Sequence, residues 1–216
     1  MKRYVLAAVL FSSIVFMVSA QGLGFVATES NGQITITGFN GTDRNITIPD
    51  EVNGMPIVAI GDRAFENSQL TSVIIGNNVR TIGASAFRDN QLTSITIGNS
   101  VTTIQWGAFL NNRLTSVIIP DSVTTIGGVW HAGAFANNQL TSVTIGNSVT
   151  TIGWIAFEGN QLTSITIGAN VTLSTGGLSS FGSGFEVAYI NGGRLAGTYI
   201  RANTNTTVWT RGAFAF

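Results

Sequence analysis

The stretch at residues 92–113 reads LTSITIGNSVTTIQWGAFLNNR, and its apolar residues stand at offsets that return along the chain. Its opening Leu-Thr-Ser-Ile recurs as Leu-Thr-Ser-Val or Leu-Thr-Ser-Ile, giving copies that begin at Leu70, Leu92, Leu114, Leu140 and Leu162. The copies are 22 residues apart except for one interval of 26, which carries an insertion around Trp130. A fixed period of this length predicts a solenoid in which each repeat is one coil.

Each coil has one set of apolar residues that we expect to face inward. In the quoted repeat the set comprises Leu92, Ile95, Ile97, Val101, Ile104, Ala108 and Phe109. The alternation after Leu92 predicts a short strand, and a Gly or Pro ends it where the chain turns. The return segment is too short for a long helix. The predicted fold is therefore a mainly β solenoid with one short parallel strand per coil and irregular or single-turn helical returns.

The full pattern is Leu-x-x-Val/Ile-x-Ile-Gly/Pro-x-x-Val-x-x-Ile-Gly-x-x-Ala-Phe-x-x-Asn, and it covers residues 44–173. It resembles the bacterial leucine-rich repeats of the BspA or Treponema pallidum type. The resemblance implies a leucine-rich repeat solenoid and an adhesin-like or host-contacting role. Two features depart from that family, since Gly replaces Pro in most copies and Asn replaces the usual Cys. We expect the asparagines to hydrogen-bond along the solenoid, at Asn90, Asn112, Asn138 and Asn160.

The sequence divides into four segments. Residues 1–20 have the features of a signal peptide, in which Lys2 and Arg3 precede an apolar run and a small-residue cleavage site that ends at Ala20. Residues 21–58 are predicted to form an N-terminal cap with an eroded repeat, and residues 59–173 the leucine-rich repeat solenoid. Residues 174–216 contain a Gly/Ser-rich segment and a predicted cap resembling a β-hairpin around Asn191-Gly192-Gly193. β-segments at both ends would cover the open solenoid.

Export follows from the signal peptide and predicts a cell-surface, extracellular or periplasmic protein. The apolar run is shorter than a membrane-spanning helix requires, so we expect no membrane span in the mature chain. Ten basic and ten acidic residues cancel, which gives no reason to expect nucleic acid as a partner.

The amino-acid composition gives little reason to expect catalysis. Catalysis needs a positioned acid, base or nucleophile, and His131 is the one histidine of a chain that lacks cysteine. No spacing typical of a metal or cofactor site is present. We therefore expect no catalytic residue, no cofactor and no metal, and a protein that is not an enzyme.

Two surfaces remain as candidates for binding. Outward strand residues should line the sheet face, namely Ser72, Ile74, Ser94, Thr96, Ser116, Ile118, Ser142, Thr144, Ser164 and Thr166. An aromatic patch should form near the insertion, from Trp106, Trp130, His131 and Trp154. Each has a purely structural alternative, because Thr favours strands without any ligand and large aromatic rings are mostly buried.

The sequence supports two interpretations of the protein's function. The first is a secreted or cell-surface protein that binds a protein or glycan, for example in adhesion to a host or its matrix. The second is a passive structural or spacer module of the bacterial cell envelope. The ligand of the first is not identified by the sequence.

Overall fold

The computed structural model describes residues 14–18, 24–128, 132–174, 181 and 184–212, with only the backbone described for residues 14–18. The N-terminal strands are β1 Ile14–Val18, β2 Phe25–Ser30, β3 Gln33–Phe39, β4 Asn45–Ile48, β5 Glu51–Val52 and β6 Met55–Ile60. The longer strands of the repeats are β7 Ser72–Ile75, β9 Ser94–Thr96, β11 Ser116–Ile119, β13 Ser142–Ile145 and β15 Ser164–Ile167. The shorter strands are β8 Thr81–Ile82, β10 Thr103–Ile104, β12 Thr125–Ile126, β14 Thr151–Ile152 and β16 Thr172–Leu173. The C-terminal elements are α1 Phe185–Asn191, β17 Gly197–Ile200 and β18 Thr210–Arg211.

Each coil contributes to two faces of the solenoid. The front face contains β4, β7, β9, β11, β13 and β15 as parallel strands, followed by β17 antiparallel to β15 and β18 antiparallel to β17. The back face is a ten-stranded sheet in which the two-residue strands pair in parallel from β6 to β16. The solenoid predicted from the sequence is confirmed, and the structure adds the second, shorter strand of each coil. In that strand a β-branched Thr faces outward while Ile or Leu enters the core.

The interior consists of stacked copies of the predicted inward set. Six of its seven members in residues 92–113 are buried, whereas Ile95 is half-buried. A column of phenylalanine rings forms the middle of this core, with neighbouring centroids 4.9–5.3 Å apart and ring planes within 12° of parallel. Its members are Phe65, Phe87, Phe109, Phe135 and Phe157. The ring separation is close to the 4.7–4.9 Å spacing of hydrogen-bonded strands, so rings and strands can stack with one period.

The asparagine column connects each coil to the one before it through the main chain. Asn112 is buried, and its Oδ1 accepts a hydrogen bond from the Leu92 amide at 3.0 Å. Its Nδ2 donates to the carbonyl oxygens of Phe87 and Phe109 at 2.9 and 3.2 Å. The same arrangement recurs at Asn90, Asn138 and Asn160. The predicted bonding along the solenoid is therefore present, and it satisfies main-chain groups at the turn that no strand could pair.

The C-terminal cap differs from the predicted hairpin around Asn191-Gly192-Gly193. The residues before this turn form helix α1, because Phe185 and Tyr189 stand four residues apart and both enter the core from one helix face. An antiparallel hairpin does occur further along, where β17 pairs with β18. The Tyr189 hydroxyl donates to the Gly168 carbonyl at 2.7 Å and accepts from the Val171 amide at 3.0 Å. Burial raises the pKa of this phenol.

Arg201 completes the covering of the last coil. Its Nε donates to the Leu162 carbonyl oxygen at 2.6 Å, and its Nη1 donates to the Thr206 carbonyl oxygen at 3.2 Å. The guanidinium lies 4.9 Å from the ring centroid of Trp209, which is itself buried. Burial lowers the pKa of Arg201. These contacts seal the end of the apolar core without a disulfide.

Replacing Ile104 by Ala should destabilise the chain by roughly 2–5 kcal/mol, because a fully buried side chain would leave a cavity in the core. Thr103→Ala is the matched control, since the neighbouring Thr103 is half-buried and faces outward. Urea unfolding followed by circular dichroism measures both variants. Equal losses of stability would refute the assignment of the inward face.

Replacing Asn112 by Ala should cost about 1–3 kcal/mol, since the Leu92 amide and the Phe87 carbonyl would lose their partner inside the protein. Asn99→Ala removes the same side chain from an exposed position and should change stability by less than about 0.5 kcal/mol. A thermal melt of each variant gives the comparison. A wild-type melting temperature for Asn112→Ala would contradict the structural role of the asparagine column.

Candidate binding surface

Two rows of outward side chains cross the front face. The hydroxyl row is formed by Ser72, Ser94, Ser116, Ser142 and Ser164, and the mixed row by Ile74, Thr96, Ile118, Thr144 and Thr166. Strand register aligns the members, because Ser72 is opposite Ser94 while Ser116, Ser142 and Ser164 follow one another in β11, β13 and β15. The structure thus brings together on one face all ten residues that were singled out from the sequence.

Exposure varies along the rows in a way that the sequence did not predict. Ile118 is 73% exposed and Ile74 is 51% exposed, which is unusual for large apolar side chains. At the far end Thr166 is half-buried, whereas Thr96 and Thr144 are exposed, because β17 pairs with the strand that carries Thr166. The Thr166 hydroxyl lies 2.9 Å from the Thr198 hydroxyl. The freely accessible part of the face is therefore its middle.

Both rows extend beyond the predicted residues. In β4, Asn45 pairs in register with Ser72, and Thr47 pairs with Ile74. Asn45 Oδ1 accepts hydrogen bonds from Thr71 Oγ1 at 2.6 Å and from Ser72 Oγ at 2.8 Å. The signal for this extension was present, since Asn-Ile-Thr-Ile-Pro at residues 45–49 matches the strand portion of the later repeats.

Three grooves lie along the ends of the front strands. The first has a volume of 460 Å³ and runs between β11 and β13, where Asp121 and Asn147 form part of its wall. The second, of 390 Å³, lies between β9 and β11, and none of its lining residues carries an ionisable side chain. The third, of 340 Å³, lies between β4 and β9 and includes Asp50. The front face therefore combines neutral hydroxyls, exposed isoleucine and only two carboxylates at its grooves.

Charged side chains gather at the return segments. Arg88 Nε lies 3.0 Å from Asp89 Oδ2 and 3.8 Å from Glu66 Oε1, and Arg63 Nε lies 3.8 Å from Glu66 Oε2. The side chains of these ion pairs remain partly exposed to solvent, so the pairs contribute little to stability. They leave the middle of the front face without an ion pair among the residues that the structure describes.

The aromatic patch is described only in part, because Trp130 and His131 lie outside the described residues. Trp106 and Trp154 are both half-buried. The backbone of Gly128 lies beside both, since the Trp154 amide donates to its carbonyl at 3.1 Å and a Cβ added at Gly128 would contact the Trp106 side chain at 3.8 Å. The Trp154 Nε1 atom is buried and has no hydrogen-bond partner in the described part of the chain. Trp106 and Trp154 thus lie on either side of the coil that carries the insertion.

The described residues contain neither a cluster of metal ligands nor a helix that could span a membrane. Among the residues that the structure describes, no three His, Cys, Asp or Glu side chains come together as a metal site would require. Within the same residues, no helix has the length and apolar character needed to cross a bilayer. The geometry that remains is that of a surface, with hydrogen-bonding and apolar groups presented in rows.

Comparison with known proteins gives a family and several similar structures. The family model described as BspA type leucine-rich repeat region, in six copies, matches residues 25–130 and 58–183. A comparison with curated proteins found no match. The crystal structure of the T. pallidum leucine-rich repeat protein is 27% identical, with a TM-score of 0.55, over 66% of this chain and 67% of that one.

Two further crystal structures share the fold at lower identity. The pneumococcal vaccine antigen PcpA is 20% identical with a TM-score of 0.56, over 88% of this chain and 48% of that one. A leucine-rich repeat protein from Eubacterium ventriosum is 21% identical with a TM-score of 0.50, over 76% of this chain and 46% of that one. The present chain therefore spans about half the length of these two proteins.

Proposed function

Because this chain belongs to the BspA-type leucine-rich repeat family, we propose that it is an exported, non-catalytic protein that binds an extracellular protein or glycan on its front face. The observation that carries the proposal is the nearly uncharged front face, with its hydroxyl row, its mixed row and its three grooves. Solenoids commonly use such extended faces for binding.

The chemistry of the face suits a neutral, polar ligand with some apolar surface. Serine and threonine hydroxyls both donate and accept hydrogen bonds, and they can adapt to a partner by rotation. Ile118 and Ile74 add apolar contact area that is already exposed and would be removed from water on binding. Hydrogen bonding with little charge is compatible with a glycan or with an uncharged protein surface.

Export is the second part of the proposal and rests on the predicted signal peptide at residues 1–20. Strand β1 lies within that segment and pairs with β2 on the back face. Cleavage after Ala20 would remove β1 and leave β2 as an edge strand, far from the middle of the front face. A cell-surface or extracellular location would bring the front face into contact with host or matrix molecules.

Thr144→Arg should reduce binding to immobilised extracellular-matrix proteins or to a glycan array by at least about tenfold, because a long charged side chain would cover the middle of the front face. Thr150→Arg is the matched control, since Thr150 is an exposed threonine of the same coil that lies toward the back face. Surface plasmon resonance gives the affinities of both variants and of the wild type.

Three results would count against parts of this proposal. Equal affinity of Thr144→Arg and the wild type would exclude the front face as the binding surface. Equal loss in both variants would indicate a general electrostatic effect. The absence of saturable binding to any matrix protein or glycan would favour the alternative, a passive structural or spacer module of the cell envelope.

The exported protein should begin at Gln21 when it is recovered from the envelope or medium of an expressing bacterium. N-terminal sequencing of that protein, together with fractionation, measures both the cleavage site and the location. A protein that remains in the cytoplasm and still begins at Met1 would contradict the export proposal.

A further inference from the structure

The front face is interrupted between β9 and β11. Strands β4, β7 and β9 form one hydrogen-bonded group, and β11, β13, β15, β17 and β18 form another. On the back face of the same two coils, β10 pairs with β12 without interruption. The Phe109 and Phe135 rings also remain stacked at 5.0 Å. The two coils therefore separate on one side only, and we refer to the opening between β9 and β11 as the seam.

Several hydrogen bonds that join all the other neighbouring coils of the front face are absent at the seam. The Thr93 amide donates to Thr71 O at 2.9 Å, and the Thr141 amide donates to Thr115 O at 2.9 Å. Among the described residues no corresponding bond joins the Thr115 amide to Thr93 O. The threonine hydroxyl bonds repeat this pattern, with Thr93 Oγ1 and Thr141 Oγ1 bonded to the preceding coil. The seam thus has main-chain donors and acceptors without strand partners.

The seam opens because the residue that ends the front strand is glycine in the neighbouring coils but proline in the coil of β11. Glycine occupies this position in four coils, at Gly76, Gly98, Gly146 and Gly168. A Cβ at Gly98 would overlap the carbonyl oxygen of Gly76 in the coil before it. A Cβ at Gly146 would likewise overlap the carbonyl oxygen of Pro120. These coils approach so closely because glycine has no side chain. Pro120 has a ring at the same position, so its coil cannot approach Gly98 to the same distance.

The seam forms the 390 Å³ groove described above. Ile95 is half-buried there, although the residues that pair with it or repeat it in other coils, such as Val73 and Val143, are fully buried. Ile118 is 73% exposed at the same groove. The groove therefore brings together unpaired main-chain groups, the hydroxyls of Ser94 and Ser116, and the two apolar side chains.

We propose that the seam binds an extended, uncharged peptide segment of a partner protein, whose main chain hydrogen-bonds to the free edges of β9 and β11. This inference rests on the proposed function and specifies a ligand class at one position of the front face. Strand edges recognise extended peptides through main-chain bonds. The groove has no ionisable lining residue, so a neutral segment matches it in charge. The chain's own β17 pairs antiparallel with the outer edge of β15, so the front face already holds one extended segment through main-chain bonds.

The spacing of the strands determines how the peptide enters. A strand inserted between two others needs them roughly 9.5 Å apart, whereas Cα atoms of β9 and β11 approach within 8 Å. The seam must therefore widen as the peptide binds. The continuous pairing of β10 with β12 provides the hinge on the opposite face.

The test uses the full chain and an acetylated, amidated hexapeptide of alternating Thr and Val, titrated by calorimetry. Pro120→Gly should weaken binding at least about tenfold, because glycine lets the two coils close and pair. Pro49→Gly is the matched control, since Pro49 has the same position in β4's coil, where no front strand precedes it. It should bind as the wild type does.

A second pair of variants guards against effects of Pro120→Gly on folding. Ile118→Thr should weaken peptide binding, whereas Val208→Thr, at an exposed apolar residue of the C-terminal cap, should not. Thr already occupies the row of Ile118 in four other coils, at Thr47, Thr96, Thr144 and Thr166. The same hexapeptide with alternate amides N-methylated should bind at least about tenfold more weakly, because it has lost donors. Unchanged binding in Pro120→Gly, or equal binding of the N-methylated peptide, would overturn the inference.

The outcomes separate this inference from the proposed function. If the hexapeptide fails to bind, or maltohexaose binds at the seam instead, the peptide assignment is wrong. The proposed function would still stand if Thr144→Arg abolished binding to a matrix protein or glycan. If the hexapeptide binds as described but no matrix protein or glycan binds, the seam inference stands and the broader ligand class of the proposed function fails.

Discussion

The distance between successive coils is the constraint on which the rest of the structure depends. A coil cannot satisfy its own main chain, so its amides and carbonyls must reach those of the coil 22 residues away. The phenylalanine rings stack at 4.9–5.3 Å and the Asn112 type of side chain bridges the same interval. Where glycine ends the front strand, the coils close to this spacing. Where Pro120 ends it, the back of the coil keeps the spacing and the front does not.

Much of the fold could be predicted because the same residue pattern recurs in every repeat. The 22-residue period, the inward set and the asparagine column all followed from the quoted repeat, and the BspA-type resemblance is confirmed by the family match over most of the chain. The second strand of each coil was missed because two residues are too few to form a periodic pattern. Helix α1 was missed because Phe185, Val187 and Tyr189 alternate as a strand would, while Phe185 and Tyr189 also fit one face of a helix.

The candidate surface could be predicted less completely. Alternation within each strand correctly placed the two outward rows, since side chains of a strand point alternately to its two faces. The seam could not be predicted, because a Pro after the strand is ordinary for the repeat. Pro120 separates two coils only because the neighbouring coils have glycine at the same position. The seam lowers the stability of the solenoid little, since each coil contacts only its neighbours and the phenylalanine column continues past the seam. The front surface can therefore differ at one coil without altering the fold.

Amide hydrogen exchange followed by nuclear magnetic resonance tests the control of coil spacing most directly. The Thr141 amide is bonded to Thr115 O and the Asn147 amide to Asp121 Oδ1, whereas Thr115 and Asp121 have no such bonds among the described residues. Control of the coil spacing by Pro120 predicts that the amides of Thr115 and Asp121 exchange at least about 100-fold faster than those of Thr141 and Asn147. Equal protection of Thr115 and Thr141 would contradict it, because the front face would then be continuous in solution.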